Sequence, residues 1–171
     1  MDAKERRNQL VDKLKKTGTP ATGSALAQEL GVSRQVIVGD IAILRAAGVE
    51  IYATPQGYLL PTAKSQSVKT AKIACHHGWD KLTDELEIIV DNGGKVLDVI
   101  VEHPIYGELK ANLMLASRRD IAEFLHNLKN SGAEPLSAIT GGVHLHTIEV
   151  PSQKVLTRIE KELQEQNILF M

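Results

Sequence analysis

Gly141-Gly142-Val143-His144-Leu145-His146-Thr147-Ile148-Glu149-Val150-Pro151 opens on two glycines, closes on a proline and alternates between them. That is the pattern of a short β-strand. Successive side chains of a strand point to opposite faces, so His144 and His146 share one, with Cα atoms about 7 Å apart at roughly 3.3 Å per residue. Two imidazoles at that separation can close on one metal ion. Taken alone, a His-x-His in a strand is more often a pair of surface residues, so the rest of the chain has to decide.

Outward from this strand, the second half of the chain alternates strands and helices. Ala71 to His77 reads as a strand, and Asp80 to Asn92 as a helix stopped by Gly93-Gly94. Lys95 to Glu102 and Gly107 to Met114 read as two strands paired through the turn Pro104-Ile105-Tyr106-Gly107. Ser117 to Lys129 is a helix in which Ser117 and Asp120 have capping-box spacing. A last helix, Ser152 to Gln166, turns Val155, Ile159 and Leu163 inward and is followed by Ile168-Leu169-Phe170. The order β-α-β-β-α-β-α predicts an α+β, open-faced sandwich with its helices on one side of the sheet.

The candidate ligands follow from these periods. On the first strand Ile73, Cys75 and His77 share the apolar face, while His76 faces water. Cys75 itself reads as a buried small hydrophobe. In the next helix Leu82, Leu86, Ile89 and Val90 form the buried stripe, with Glu85 within or beside it. A carboxylate there must be paired or bound, unless it is a boundary residue reaching solvent. With His77, His144 and His146 it makes three imidazoles and a carboxylate. That set suits one divalent transition metal (nickel, zinc or iron) better than calcium or magnesium. His103, before Pro104, either lines a ligand pocket, orients a ligand histidine or is a turn residue. His126 reads as a surface residue.

The first half differs in charge. Through Lys72 the chain carries 11 Lys/Arg against 6 Asp/Glu, and from Ile73 onward 9 against 15. A basic front and an acidic rear predict that only the front meets a polyanion. Ala3 to Lys16 is helical, with Leu10, Val11 and Leu14 inward. Thr22 to Leu30 is a short helix, Gly31-Val32-Ser33 a tight turn, and Arg34 to Ala47 a third helix with Ile37, Ile41 and Leu44 inward, ended by Gly48. Extended runs Glu50–Ala53 and Gly57–Leu60 complete the order of a winged helix-turn-helix. Arg34 and Gln35 stand in the first turn of the third helix, where base edges are met, and pair naturally with guanine and adenine. Lys13, Lys15, Lys16 and Arg45 are candidates for phosphates of operator double-stranded DNA. The polar stretch 61–70 reads as a linker, dividing a DNA-binding domain (1–66) from a metal- and ligand-binding domain (67–171). One cysteine, no signal-peptide core and no long apolar run fit a cytoplasmic protein with no membrane span.

Two resemblances build on these readings. Gly23 to Leu60, with Ala-Gln-Glu-Leu-Gly-Val-Ser-Arg-Gln at 27–35 and Gly-Tyr-Leu-Leu at 57–60, resembles winged helices of the biotin-repressor type. Ala71 to Phe170 resembles the three-histidine (3H) domain, through His77 with Glu85, Asn92-Gly93-Gly94, the run Asp98 to Glu108, and Gly141 to Glu149. The pair together resembles the niacin-responsive repressors of bacteria, which control NAD synthesis and niacin uptake. The resemblance implies an HPr-like fold for the second domain and a metal on His77, Glu85, His144 and His146. It also implies a homodimer and nicotinate as corepressor, for which His103 or Tyr106 would be polar contacts. The adjacent His76 leaves the first ligand open by one residue. Two other functions compete: a metal-dependent hydrolase with an attached helical domain, and a repressor for which metal occupancy is itself the signal.

Overall fold

Side-chain caps fix where the N-terminal helices begin. Asp2 accepts from the Glu5 amide at 2.7 Å ahead of α1 (Ala3–Thr17). Thr22 does the same for Ala25 at 3.1 Å ahead of α2 (Gly23–Leu30), and Ser33 for Val36 at 3.3 Å ahead of α3 (Arg34–Ala46). Each cap satisfies a backbone donor that the helix cannot. Leu10 and Leu14 of α1 pack with Leu26, Ala27 and Leu30 of α2 and with Ile37, Ile41 and Leu44 of α3 in one buried cluster.

β1 (Tyr52–Thr54) and β2 (Gly57–Leu59) form the antiparallel hairpin that follows, each one residue shorter than its extended run predicts, with β1 set towards the turn. Ala21 adds to its edge: its amide donates to Tyr58 O at 2.9 Å and its carbonyl accepts from Tyr58 N at 2.8 Å. Gly57 has φ +127, and a Cβ there would lie 2.4 Å from the Ala21 carbonyl oxygen. Only glycine permits this approach.

A buried carboxylate on α3 escapes the apolar pattern. Asp40 is 3% exposed and is gripped from α1, by Arg6 Nε at 2.6 Å and Nη2 at 3.2 Å, with Arg7 Nη1 at 3.5 Å. Arg6→Ala is expected to destabilise this unit by about 1–3 kcal/mol, the cost of stripping a buried acceptor of its donor. Urea denaturation measures it, and a loss within error would show that Arg7 replaces the pair.

The computed structural model describes residues 1–63 and 67–171, and the chain divides into two units, Met1–Ala63 and Lys64–Met171. The expected boundary between residues 66 and 67 adjoins residues 64–66, which lie outside the described residues. In the second unit the elements run β3 (Lys69–His76), α4 (Trp79–Asp91), β4 (Lys95–His103), β5 (Gly107–Leu115), α5 (Arg118–Asn130), a 3₁₀ segment (Leu136–Thr140), β6 (Val143–Val150) and α6 (Gln153–Glu165). This is the predicted order with the 3₁₀ segment added. The four strands form one antiparallel sheet in the order β3-β6-β4-β5.

One face of that sheet carries the core. Ile73, Val96, Leu113, Leu115, Ile148 and Val150 meet Leu82, Leu86 and Ile89 of α4, Ile121 and Leu125 of α5, and Leu156, Ile159 and Leu163 of α6. Each of these side chains that is fully buried contributes about 1.5–3 kcal/mol by leaving water. Beyond α6 the chain returns to the outer side of β3: His76 N donates to Ile168 O at 2.9 Å, and Phe170 N to Ala74 O at 2.8 Å.

Candidate metal centre

β6 places His144 and His146 on the core face, alternating with half-buried Val143, Leu145 and Thr147. Both are nearly inaccessible, at 3% and 2%. Cys75 of β3 lies directly opposite His144, and His77 follows one residue after the strand's end. Gly142 makes the meeting possible: with φ +103, its missing Cβ would stand 2.5 Å from the His77 carbonyl oxygen. His76 stays outside, its Nε2 3.2 Å from Gly141 O and its ring against Phe170. It is His77 that turns inward.

From the helix side comes Glu85, at 0% exposure between Leu82, Leu86 and Ile89. Its Oε2 lies 2.5 Å from His77 Nε2, and its Oε1 lies 2.8 Å from His144 Nε2 and 3.1 Å from His146 Nε2. The structure thus brings His77, Glu85, His144 and His146 together around one carboxylate.

The rings are held from behind. The Nδ1 atoms donate to backbone carbonyls: His77 to Gly78 O at 2.8 Å, His144 to Gly142 O at 2.8 Å and His146 to Asp98 O at 2.7 Å. Carbonyls only accept, so each Nδ1 carries a proton, and a ring that gives up its Nε2 proton presents a lone pair to the cluster. β4 is irregular between Val96 and Ile100, and there the Asp98 carbonyl reaches His146 while its carboxylate accepts from Thr147 N at 2.8 Å. Such outer contacts are what orient histidine ligands.

Electrostatically the cluster is one unit. Burial works to lower the His77 and His146 pKa values, but the hydrogen bond of Glu85 to His77 and its charge beside His146 outweigh it and both are raised. Burial works to raise Glu85, and it is overcome by the His146 charge and the hydrogen bonds with His144 and His77, which leave it well below the usual carboxylate range. Burial, then the neighbouring Glu85, pushes the Cys75 thiol up.

One carboxylate cannot serve three imidazoles. Among the described residues His146 Nε2 is buried and lacks a hydrogen bond; it is near enough to Glu85 for a charge interaction but lacks hydrogen-bond geometry. With neutral rings, convergent lone pairs and a carboxylate are the donor set that a divalent transition metal takes. The residues fit such an ion, which would link α4 to the sheet.

A cavity of about 210 Å³ adjoins the cluster, with His144 and His146 in its wall. Leu86, Val99, Phe124, Leu128 and Leu136 make its apolar sides, and Glu134 and Ser137 add polar groups. Neither proposed effector contact lines it. His103 Nδ1 accepts from the amides of Ile105 at 3.0 Å and Tyr106 at 3.2 Å, so it closes the β4–β5 turn, and Tyr106 is 76% exposed. The residues that line the cavity instead come partly from 134–137, where no periodicity marks them. His126 lies on the surface, bonded to Asn130.

In the N-terminal unit Arg34 and Gln35 are exposed at the start of α3, and Lys15 and Lys16 are exposed in the last turn of α1. Arg45 donates from Nε to Ile51 O at 2.8 Å, and Lys13 pairs with Glu29 at 2.5 Å.

Helix-turn-helix with hairpin, then a sheet domain built around three histidines, defines a class of two-domain regulator, and comparison with known proteins agrees. The HTH domain matches residues 6–59 and the 3H domain residues 70–171; the chain belongs to the 3H-domain family of transcription repressors. It is 42% identical to the probable transcription repressor NiaR of Thermotoga maritima, over 97% of this chain and 94% of that one. To the transcription repressor NadR of Bacillus subtilis it is also 42% identical, over 96% and 93%. The chain is therefore a regulator, and the hydrolase alternative falls away.

Proposed function

We propose that this repressor senses nicotinate beside a divalent transition metal held by His77, Glu85, His144 and His146, and so controls genes of NAD synthesis or niacin uptake. The observation that carries it is the shared wall: His144 and His146 belong both to the cluster and to the apolar cavity. A pyridine ring matches a cavity of this size and lining, and its carboxylate is an oxygen donor for a metal position the protein leaves open. The resemblance to niacin-responsive repressors supports the same ligand. Operator DNA is its partner, a homodimer in the cytoplasm its working state, and two recognition helices double the site read. No described helix is long and apolar enough to cross a membrane.

Calorimetry with nicotinate, nicotinamide and pyridine, on metal-loaded and chelated full chain, tests the effector. Nicotinate is expected to bind the loaded protein best and the chelated protein weakly. Equal binding after chelation would separate effector from metal. DNA affinity that follows metal alone would instead make metal occupancy the signal.

The DNA side has its own test. Gln35→Ala is expected to lose about 1–3 kcal/mol on the true operator and relax one position of specificity. Lys16→Ala should weaken all DNA about equally and flatten the salt dependence. Identical behaviour of the two on operator and random duplexes would contradict these roles.

A further inference from the structure

Cys75 stands where burial alone does not account for it. β3 and β6 pair with Cys75 opposite His144, and cross-strand partners project side by side on one face. Its Sγ belongs to a group, with donor atoms of Glu85 and His144, whose members all lie within 4.8 Å of one another. Donors sharing one ion, at about 2.3 Å for sulfur and about 2.1 Å for nitrogen or oxygen, stand up to roughly 4.4 Å apart. That limit holds for donors on opposite sides of the ion; adjacent donors stand roughly 3–3.6 Å apart, so pairs at the 4.8 Å bound would draw in by up to roughly 1–2 Å to surround one centre. A second observation lies beside this group: His146 Nε2, 3.1 Å from Glu85 Oε1, is buried and has no hydrogen-bond partner among the described residues.

We propose that Cys75 Sγ is a fifth protein donor to the ion, making the centre a mixed imidazole, carboxylate and thiolate site. The inference rests on the metal reading above. Ligation breaks the S–H bond heterolytically; the proton goes to solvent, the electron pair to the metal, and nothing is oxidised or reduced. Two anionic donors, Glu85 and Cys75, then neutralise a dication within the protein. A thiolate also biases the site towards zinc, cobalt or nickel and away from manganese or magnesium.

Cobalt(II) is the probe, added to the metal-free full chain in thiol-free buffer and read by absorption. Ligand-field bands report cobalt in the site, and a near-ultraviolet thiolate-to-cobalt charge-transfer band reports sulfur. The chain has one cysteine, so this band in the native sequence assigns Cys75 without a variant. Cys75→Ser should then lose it while the ligand-field bands remain. Cobalt uptake without the charge-transfer band overturns the thiolate assignment and leaves the four-ligand reading intact. Absence of any uptake overturns both.

Discussion

Glu85→Ala is expected to destabilise the C-terminal unit by about 3–5 kcal/mol and to abolish metal uptake. The size follows from what remains after one partner of a buried ion pair is removed. Glu85 is fully buried and is the carboxylate that all three Nε2 atoms face. Without it, imidazoles that its charge holds protonated must lose their protons or sit charged among Leu82, Leu86 and Ile89. The change also leaves space between α4 and the sheet. Trp79, the chain's one tryptophan, opens α4, so its fluorescence in urea follows this helix. A loss no greater than that of an exposed carboxylate such as Glu123→Ala would contradict the buried cluster.

Chelation should reverse the dependence of stability on pH. His77 and His146 have pKa values raised above the ordinary 6.5. Their contribution is complete below the unfolded value and is lost as pH rises through the folded values. Glu85 is lowered far below its ordinary 4.5, so its contribution holds above that value and disappears only as pH falls through the lowered one. Metal-free protein should therefore become less stable as pH climbs past 6.5. Coordination has the opposite sign, because imidazoles must be neutral to bind. At free metal about a thousand times Kd, binding adds about 4 kcal/mol, and that gain grows as pH rises. Melting temperatures across this range, with metal and with chelator, should diverge towards alkaline pH. Parallel curves would mean that no ion binds here.

Local periods made much of the cluster legible. Strand alternation put His144 beside His146 and turned His77 rather than His76 inward; helical spacing put Glu85 on the stripe with Leu82 and Ile89. What stayed hidden was non-local. Strand order places β6 beside β3, and it is this neighbour relation that sets Cys75 against His144. The Asp98 carbonyl that orients His146 is a backbone atom at an irregularity, with no side-chain signature. The segment 131–142 has no period, so the wall made by Pro135, Leu136 and Ser137 could not be foreseen. His103 and Tyr106 sit in a distinctive run, yet the run builds a turn. Asp40 carries no apolar signal in α3, and its burial depends on Arg6, 34 residues earlier.

The pairing of Ile168 and Phe170 with β3 bears on how the protein ages. These few residues occupy backbone groups that would otherwise be free to template another chain. A protease cutting after α6 would also cost the core the buried Ile168, and α6 the amides of Ile168 and Leu169 that donate to Leu163 O. It would bare the strand that carries Cys75 and leads into His77, with Ile73 and Ala74 alongside. Clipped molecules would then join strand to strand, and turbidity would follow the cut.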